Sequence, residues 1–279
     1  QIDAVRKRGY CLSEDSNIFS AQAIIAALPS SLRKFINIEI KPITGSTNTD
    51  LKKSAENGAP EGTVLIALEQ TGGKGRLGRS FYSPKKTGLY MSILLRPVFP
   101  AEKSLYITTC AATAVSEAVD CTADVNSSIK WVNDVYLDGK KVSGILTEAS
   151  LDFESGGLHY AVCGIGVNIS TEIFPDKLGN IAGSISDGKK DLRAKLAAEI
   201  ITRFFGYYST LEQLEFLPEY RRRSFLIGKR IDFIMNNKDL SGIAEDIDEK
   251  ARLVVRLDDG ECIALSSGEV QLKKGDIIR

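Results

Sequence analysis

The stretch that most limits how this chain can fold runs from Glu69 to Pro84 and reads EQTGGKGRLGRSFYSP. Between positions 71 and 81 it holds four glycines and three cations, Lys74, Arg76 and Arg79. Glycines at this density lower the steric cost of positive φ and of close backbone approach, and the cations supply charge. The segment is therefore predicted to bind an anion, and a phosphate group is the expected ligand. A solvated surface loop is the alternative.

The glycine spacing also matches two nucleotide-binding motifs, but the residues that follow contradict both. Residues 73–78 have the spacing of a dinucleotide fingerprint, yet the next predicted element is a strand, Leu89 to Leu95, where that motif needs a helix. Residues 73–80 differ from a Walker A loop at Arg79 and lack the same helix. A protein kinase is also disfavoured, because the chain contains no His-Arg-Asp or Asp-Phe-Gly triplet.

Composition excludes several other classes. The 279 residues, 43% of them hydrophobic, suffice for one large domain with smaller attachments. Thirty-six basic residues balance thirty-six acidic ones, so only a local site can attract anions. Five scattered cysteines without a C-x-x-C pair indicate reduced thiols. With neither a signal-peptide pattern nor an apolar run near the roughly 20 residues of a membrane span, a cytoplasmic location without a membrane partner is expected.

Residue periodicity predicts helices and strands on both sides of residues 69–84, which are called the glycine loop below. Strands are predicted at 35–43, 63–69, 89–96 and 160–169, and helices at 2–10, 20–28, 48–58, 101–121 and 191–214. The single histidine, His159, has no metal-ligand companions and is interpreted as a strand residue. The run Arg221 to Arg223 marks a boundary, beyond which turns at 236–237, 258–260 and 267–268 predict a small all-β module.

A second informative stretch, Ile129 to Glu148, predicts a hairpin, because Asp138-Gly139 lies between alternating runs. The hairpin places Lys141 among apolar neighbours, where a bare ammonium needs a partner. Gly144 indicates that something packs closely against its strand, and the paired glycines of 164–166 are expected to leave room for a ligand instead of a side chain.

The tripeptide Ser46-Thr47-Asn48 follows the predicted strand 35–43 and opens a helix. These residue types are preferred helix N-caps, which explains one polar residue but not three. Three small hydrogen-bonding side chains beside the glycine loop would also recognise a compact polar group. Both interpretations stay open at this point.

Together these motifs closely resemble biotin protein ligases, the enzymes that attach biotin to carboxylases. The resemblance runs from about residue 36 to 270 and rests on 46–48, Gln70, 73–79, 130–134, Lys141, Gly144, 164–168 and 267–270. Two positions depart from the family pattern. Lys74 replaces an arginine, so a compact ammonium group stands in place of a planar guanidinium that can bind an anion through two hydrogen bonds. Phe81 stands where many members carry tryptophan.

The resemblance implies that biotin carboxylate attacks the α-phosphate of MgATP, and that a lysine of a biotin carboxyl carrier protein then attacks the adenylate. Because two anions must meet, cations have to neutralise both. By position, biotin would be bound by Ser46, Thr47, Asn48, Gln70, Lys74, Gly75, Arg76, Lys141, Gly144 and Gly164, and ATP by Arg79, Lys130, Asn133, Asp134 and Asn168. Arg76 and Lys141 would be the catalytic pair, with Mg²⁺ carried mainly by the ATP phosphates.

The fold implied is α+β, with a central mixed sheet like that of lipoate ligases and class II synthetases, helices on one face, and an SH3-like barrel after it. The expected domains are 1–34, a helical remnant of a winged helix-turn-helix; 35–224, catalytic; and 225–279, the barrel. No DNA binding is expected from so short a remnant. The sequence leaves oligomeric state open, a homodimer included. Lipoate ligase and a biotin-sensing repressor are the alternatives.

Overall fold

The computed structural model describes residues 2–5, 9–12, 19–152, 156–188, 191–235 and 237–272. Its strands are β1 (Ile2–Val5), β2 (Gly9–Leu12), β3 (Asn37–Lys41), β4 (Thr63–Ala67), β5 (Gly88–Leu95), β6 (Ser128–Lys130), β7 (Asp134–Leu137), β8 (Lys140–Leu151), β9 (Leu158–Asn168), β10 (Arg230–Met235), β11 (Lys238–Ile247), β12 (Leu253–Leu257), β13 (Cys262–Leu265) and β14 (Val270–Leu272). Its helices are α1 (Ala21–Ala27), α2 (Ser30–Arg33), α3 (Thr47–Glu56), α4 (Ser104–Ala123), α5 (Arg193–Tyr208) and α6 (Leu217–Arg223).

The central sheet has seven strands in the order β3-β4-β5-β9-β8-β7-β6. β3 and β4 are parallel, since α3 connects them, and the other neighbours are antiparallel, so the predicted mixed sheet is confirmed. The glycine loop joins the adjacent antiparallel strands β4 and β5. Between these strands the helical element is a single 3-10 turn, Arg76–Gly78, and not the α-helix that a Rossmann or Walker A site requires.

The two faces of this sheet are covered differently. Alternate residues of β5 and β9, such as Met91, Ile93 and Ile165, enter the main core with α4 and α5. On the opposite face α3 packs through Leu51 and Ala55. The expectation that helices lie on one face is therefore wrong for α3. Because α3 covers only part of its face, the adjoining ends of β5, β8 and β9 stay open for a site.

The hairpin predicted at Asp138-Gly139 is confirmed. Both residues have positive φ, 48° and 72°, as the two-residue turn between β7 and β8 requires. The residue periodicity predicted a helix that continues through Leu214. In the structure, helix α5 ends at Tyr208. Leu214 has a left-handed backbone, φ 57°, which an α-helix of L-residues cannot continue.

The C-terminal module is an antiparallel sheet of five strands in the order β13-β12-β11-β10-β14, which confirms the predicted all-β region. Its resemblance to an SH3-like barrel stays a prediction. The indole Nε1 of Trp131 donates to Ala251 O at 3.2 Å, and the rings of Tyr136 and Phe225 meet edge to face at 5.3 Å. These contacts hold the module against the β6–β7 end of the central sheet.

The helix predicted at residues 2–10 is wrong in its described parts. β1 and β2 pair as an antiparallel ladder from Ile2 opposite Leu12 to Val5 opposite Gly9. So short a segment is marginal as an isolated helix in water, whereas strand pairing satisfies its backbone groups. The assignment of residues 1–34 to a winged helix-turn-helix remnant stays a prediction.

Candidate active site

Two adjoining cavities lie on the open part of the α3 face. The smaller one, called the small pocket below, is lined by Ser46, Thr47, Asn48, Gln70, Lys74, Phe81, Met91, Gly144, Leu146, Gly164, Ile165 and Gly166. The larger one, called the cleft, has a volume of about 580 Å³ and lies between the glycine loop, residues 130–141, residues 174–182 and residues 268–271. Phe81 lines both cavities, so its ring marks the boundary between them.

The first turn of α3 forms one wall of the small pocket. Ser46 occupies the N-cap position, but its side chain makes no capping hydrogen bond. The Thr47 N–H instead donates to Gln70 Oε1 at 2.8 Å, and Gln70 Nε2 donates to Ser83 Oγ at 3.0 Å. The capping interpretation therefore explains where Ser46 lies but not what its hydroxyl does. Gln70 supports the helix start as well as lining the pocket.

Asn48 is buried between α3 and the sheet. Its Nδ2 donates to Glu148 Oε2 at 2.9 Å and to Leu146 O at 3.2 Å, while its Oδ1 lies 2.6 Å from Ser92 Oγ. Sequence reasoning missed both Ser92 and Glu148. The available signal was a fully buried serine in the otherwise apolar strand β5, since a buried hydroxyl needs a partner.

The predicted glycines do permit close packing, but protein side chains use the space. A Cβ on Gly164 would lie 2.2 Å from Asn48 Oδ1, and one on Gly166 would lie 2.5 Å from the Phe81 ring. A Cβ on Gly144 would lie 3.1 Å from the Lys141 Nζ. Gly144 and Gly166 are opposite each other in the β8–β9 ladder. This glycine pair lies beneath the Phe81 ring, at the boundary between the small pocket and the cleft, and is called the floor below.

The glycine loop is folded onto its surroundings. Gly72 N donates to Gly45 O at 2.8 Å, and Phe81 N donates to Gly73 O at 2.9 Å. Arg76 Nη1 donates to Asn133 Oδ1 at 3.0 Å. In these contacts, neutral acceptors of the protein hold the loop in place.

Arg79 points from the loop to the C-terminal module. Its guanidinium makes a bidentate pair with Glu269, at 2.8 and 2.6 Å, across 190 residues of sequence. The same contact is the main reason that the pKa of Arg79 is raised. Glu269 was noticed only as part of a motif, and its pairing with Arg79 could not be read from the sequence.

Lys141 has the partner that its position required. Its Nζ lies 2.6 Å from Asp134 Oδ1, with both side chains less than a third exposed. Asn133 Nδ2 donates to the same carboxylate oxygen at 2.9 Å and to Ile145 O at 3.0 Å. Nearby, burial lowers the pKa of Lys130, against the opposing effect of the Asp134 carboxylate. The cleft therefore gathers cations around few acidic groups.

Asn168 lies at the end of β9 and lines the cleft. Its Nδ2 donates to Gly183 O at 3.1 Å, whereas its buried Oδ1 has no partner in the part of the chain that the structure describes. An unpaired buried carbonyl oxygen costs free energy unless a ligand supplies a donor. Asn168 is thus suited to accept a hydrogen bond from a molecule in the cleft.

The structure brings the predicted residues together in two groups. Ser46, Thr47, Asn48, Gln70, Lys74, Gly144 and Gly164 line the small pocket, and Gly75, Arg76, Arg79, Lys130, Asn133, Asp134, Lys141 and Asn168 line the cleft. Among the described residues no cluster of three or more Asp, Glu, His or Cys side chains could hold a metal. The donor set therefore fits Mg²⁺ carried by nucleotide phosphates beside one or two carboxylates, and not an all-protein site.

Comparison with known proteins agrees with this arrangement. Residues 40–168 match the biotin/lipoate A/B protein ligase family, and residues 226–273 match the biotin protein ligase C-terminal domain. The Bacillus subtilis protein called bifunctional ligase/repressor BirA is 32% identical over 267 residues, which cover 93% of this chain and 81% of that protein. A protein from Mycobacterium tuberculosis, named biotin–[acetyl-CoA-carboxylase] ligase, is 31% identical over 243 residues. The match covers 84% of this chain and 88% of the Mycobacterium protein.

A solved structure of biotin protein ligase from Aquifex aeolicus, in complex with biotin and ATP, superposes with a TM-score of 0.73 at 27% identity. The match covers 85% of this chain and 98% of the Aquifex chain. In the described ranges, no helix combines the length and apolar character needed to cross a bilayer. With its motifs, its two sheets and these relatives in agreement, the chain belongs to the biotin protein ligase family.

Proposed function

We propose that this protein activates biotin with ATP and transfers it to a lysine of a biotin carboxyl carrier protein. A biotin carboxylate oxygen attacks the α-phosphorus of ATP, and the bond to pyrophosphate breaks, which leaves biotinyl-5′-adenylate. The amine of the acceptor lysine then attacks the acyl carbon, loses a proton and displaces AMP. No covalent bond to the enzyme is required in either step.

The observation that carries this proposal is the pairing of a polar small pocket with a cationic cleft across the Gly144–Gly166 floor. Lys141 lies at that junction, since its Nζ is over Gly144. A molecule with a compact polar head and an acyl chain fits this arrangement, because its carboxylate would reach the cations that also attract phosphates. Bringing two anions together in this way is mainly a problem of charge neutralisation and positioning.

The side chains divide into three roles. Ser46, Thr47 and Gln70 would bind the ureido ring of biotin, with Asn48 and Gly164 around it, while Lys74 and Gly75 would close over the carboxylate. Arg76 and Lys141 would stabilise the charge where carboxylate meets α-phosphate. Arg79, Lys130, Asn133, Asp134 and Asn168 would contact ATP, and its Mg²⁺ would neutralise the leaving pyrophosphate. Asn133 would act mainly by holding Arg76, because its amide is already shared among three protein groups.

Exchange of labelled pyrophosphate into ATP tests the proposal. Biotin should support exchange, and lipoate should support it at least about 10⁴-fold less well, because a site that hydrogen-bonds a polar group rejects an analogue lacking it. Equal exchange with lipoate would assign the chain to lipoate ligation instead. A carrier domain with its target lysine replaced by arginine is the control for the second step, and it should stay unlabelled.

A further inference from the structure

We propose that Glu148 is a positioning residue that sets the orientation of the Asn48 side-chain amide and thereby holds Ser46 and Thr47 in place. The inference rests on the proposed biotin role of the small pocket. It adds two residues, Glu148 and Ser92, that the family motifs quoted above do not contain. It also reassigns Asn48 from a biotin ligand to the centre of a clamp within the protein.

The clamp connects α3 to β8 in two places. Glu148 Oε2 accepts a hydrogen bond from Asn48 Nδ2 at 2.9 Å, and Glu148 Oε1 pairs with Lys52 Nζ at 2.5 Å. Asn48 and Lys52 are four residues apart and so lie on the same side of the helix. One carboxylate from the sheet therefore fixes the first turn and a half of α3.

Hydrogen counting allows only one orientation of the amide. A carboxylate only accepts, so the NH₂ of Asn48 must face Glu148, and it also reaches Leu146 O at 3.2 Å. Asn48 Oδ1 then faces Ser92 Oγ at 2.6 Å and takes its single hydrogen. Ser92 then has no hydrogen left for the Thr47 hydroxyl 2.7 Å away, so Thr47 donates in that contact, and Gln70 Oε1 keeps only the Thr47 N–H as its donor. The orientation of Asn48 is thus transmitted to Thr47.

Asn48 has no freedom to adjust by moving. Its Oδ1 lies directly over Gly164, where even a Cβ would be 2.2 Å away, and the side chain is buried. The amide can respond to a changed partner only by reversing its two ends. A reversed amide would direct its oxygen at Leu146 O and its NH₂ at Ser92. The hydrogen of Ser92 would then turn toward Thr47, whose own hydrogen would turn to Gln70 Oε1, and Asn48 would lose its hydrogen bond to Leu146 O.

Glu148→Gln tests the amide orientation without changing side-chain shape. Lys52 holds the oxygen of the new amide, so its NH₂ faces the NH₂ of Asn48 and no satisfactory arrangement remains. Leaving buried polar groups unpaired should raise the KM for biotin roughly 10- to 100-fold, with the KM for ATP within about threefold of wild type. The unfolding temperature should also fall by a few degrees.

A second substitution at Lys52 separates this mechanism from a loss of charge. Lys52→Met alone leaves Glu148 free to accept from Asn48, so its KM for biotin should stay within about threefold of wild type. In Lys52→Met/Glu148→Gln the amide oxygen is free to turn to Asn48, so both biotin KM and unfolding temperature should return close to wild type. A role in packing predicts a double variant no better than Glu148→Gln, and a role in charge balance predicts that Lys52→Met alone is impaired as well.

Wild-type kinetics in Glu148→Gln, or a double variant as impaired as the single one, would overturn the inference. If Glu148→Gln does not fold, a double variant that folds and binds biotin supports the inference, and one that also fails to fold refutes it. Absence of biotin-dependent exchange in the wild type would instead refute the proposed function. The order of unfolding temperatures among the four proteins would still test the amide orientation.

Discussion

The small pocket and the cleft are built in opposite ways. The hydroxyl and amide groups of the small pocket come from the start of α3 and from Gln70, and protein groups pair most of them with neutral hydrogen bonds. The cleft takes its walls from a glycine loop, the 174–182 segment and a second sheet. Its cations Arg79 and Lys141 are paired with the carboxylates Glu269 and Asp134. One region is locked within a single sheet, whereas the other depends on ion pairs between separate elements.

This difference matches what each ligand requires. A small neutral head group is best recognised by donors and acceptors that are fixed in orientation. A ligand without the matching groups then leaves these buried donors and acceptors without a hydrogen bond. A triphosphate carries its own charge and can replace carboxylates as the partner of arginine and lysine. We therefore expect changes in the small pocket to act on biotin affinity, and changes in the cleft to act on ATP affinity and on the chemical step.

Lys141→Ala should have the largest effect. The ammonium lies at the junction of the two regions, next to the hairpin turn, so we expect it to stabilise charge that develops during adenylate formation. Losing one preorganised electrostatic donor should slow single-turnover adenylate formation by roughly 10²- to 10³-fold. Lys140→Ala, at the exposed neighbouring position, is the matched control and should leave the rate unchanged. Adenylate formation at the wild-type rate in Lys141→Ala would exclude a catalytic role.

The two glycines of β9 test the rigidity of the regions directly. In Gly164→Ala the new Cβ meets the buried amide of Asn48, which cannot move, so the KM for biotin should rise about 10- to 100-fold. In Gly166→Ala the new Cβ meets the ring of Phe81, whose half-buried side chain can rotate toward the cleft. Its effect should stay below about tenfold. If the two alanine substitutions have equal effects, the two regions accommodate an added methyl group equally well, and the proposed difference in rigidity is wrong.

The same contrast explains which parts of the molecule could be predicted from sequence. Strand alternation and the Asp138-Gly139 turn are local signals, and the structure confirms them. The ladder at Ile2–Val5 was missed because a short basic stretch carries no decisive periodicity. The end of α5 was misplaced because apolar spacing continues past Tyr208, where backbone conformation decides the boundary.

Among the site residues, too, only features with a local sequence signal could be predicted. The cationic loop and the need of Lys141 for a partner are visible in short stretches of sequence. Contacts such as Asn48 with Glu148, 100 residues apart, and Arg79 with Glu269, 190 apart, depend on strand order and on docking of the second sheet. No local pattern encodes such pairs. For this reason the glycines were correctly singled out, while the side chains that fill the space above them were not identified.

The alkaline pH dependence of ATP use gives the smallest effect and separates the two regions without changing their shape. Burial lowers the pKa of Lys130 below the usual 10.5, so its ammonium is lost at a lower pH than that of an exposed lysine. The kcat/KM for ATP should therefore fall a few-fold between pH 7 and 10, while the KM for biotin changes less. Lys130→Arg should shift this decline to higher pH, because arginine stays protonated throughout the range. A decline that is identical in Lys130→Arg would assign the titration to another group and remove Lys130 from the nucleotide site.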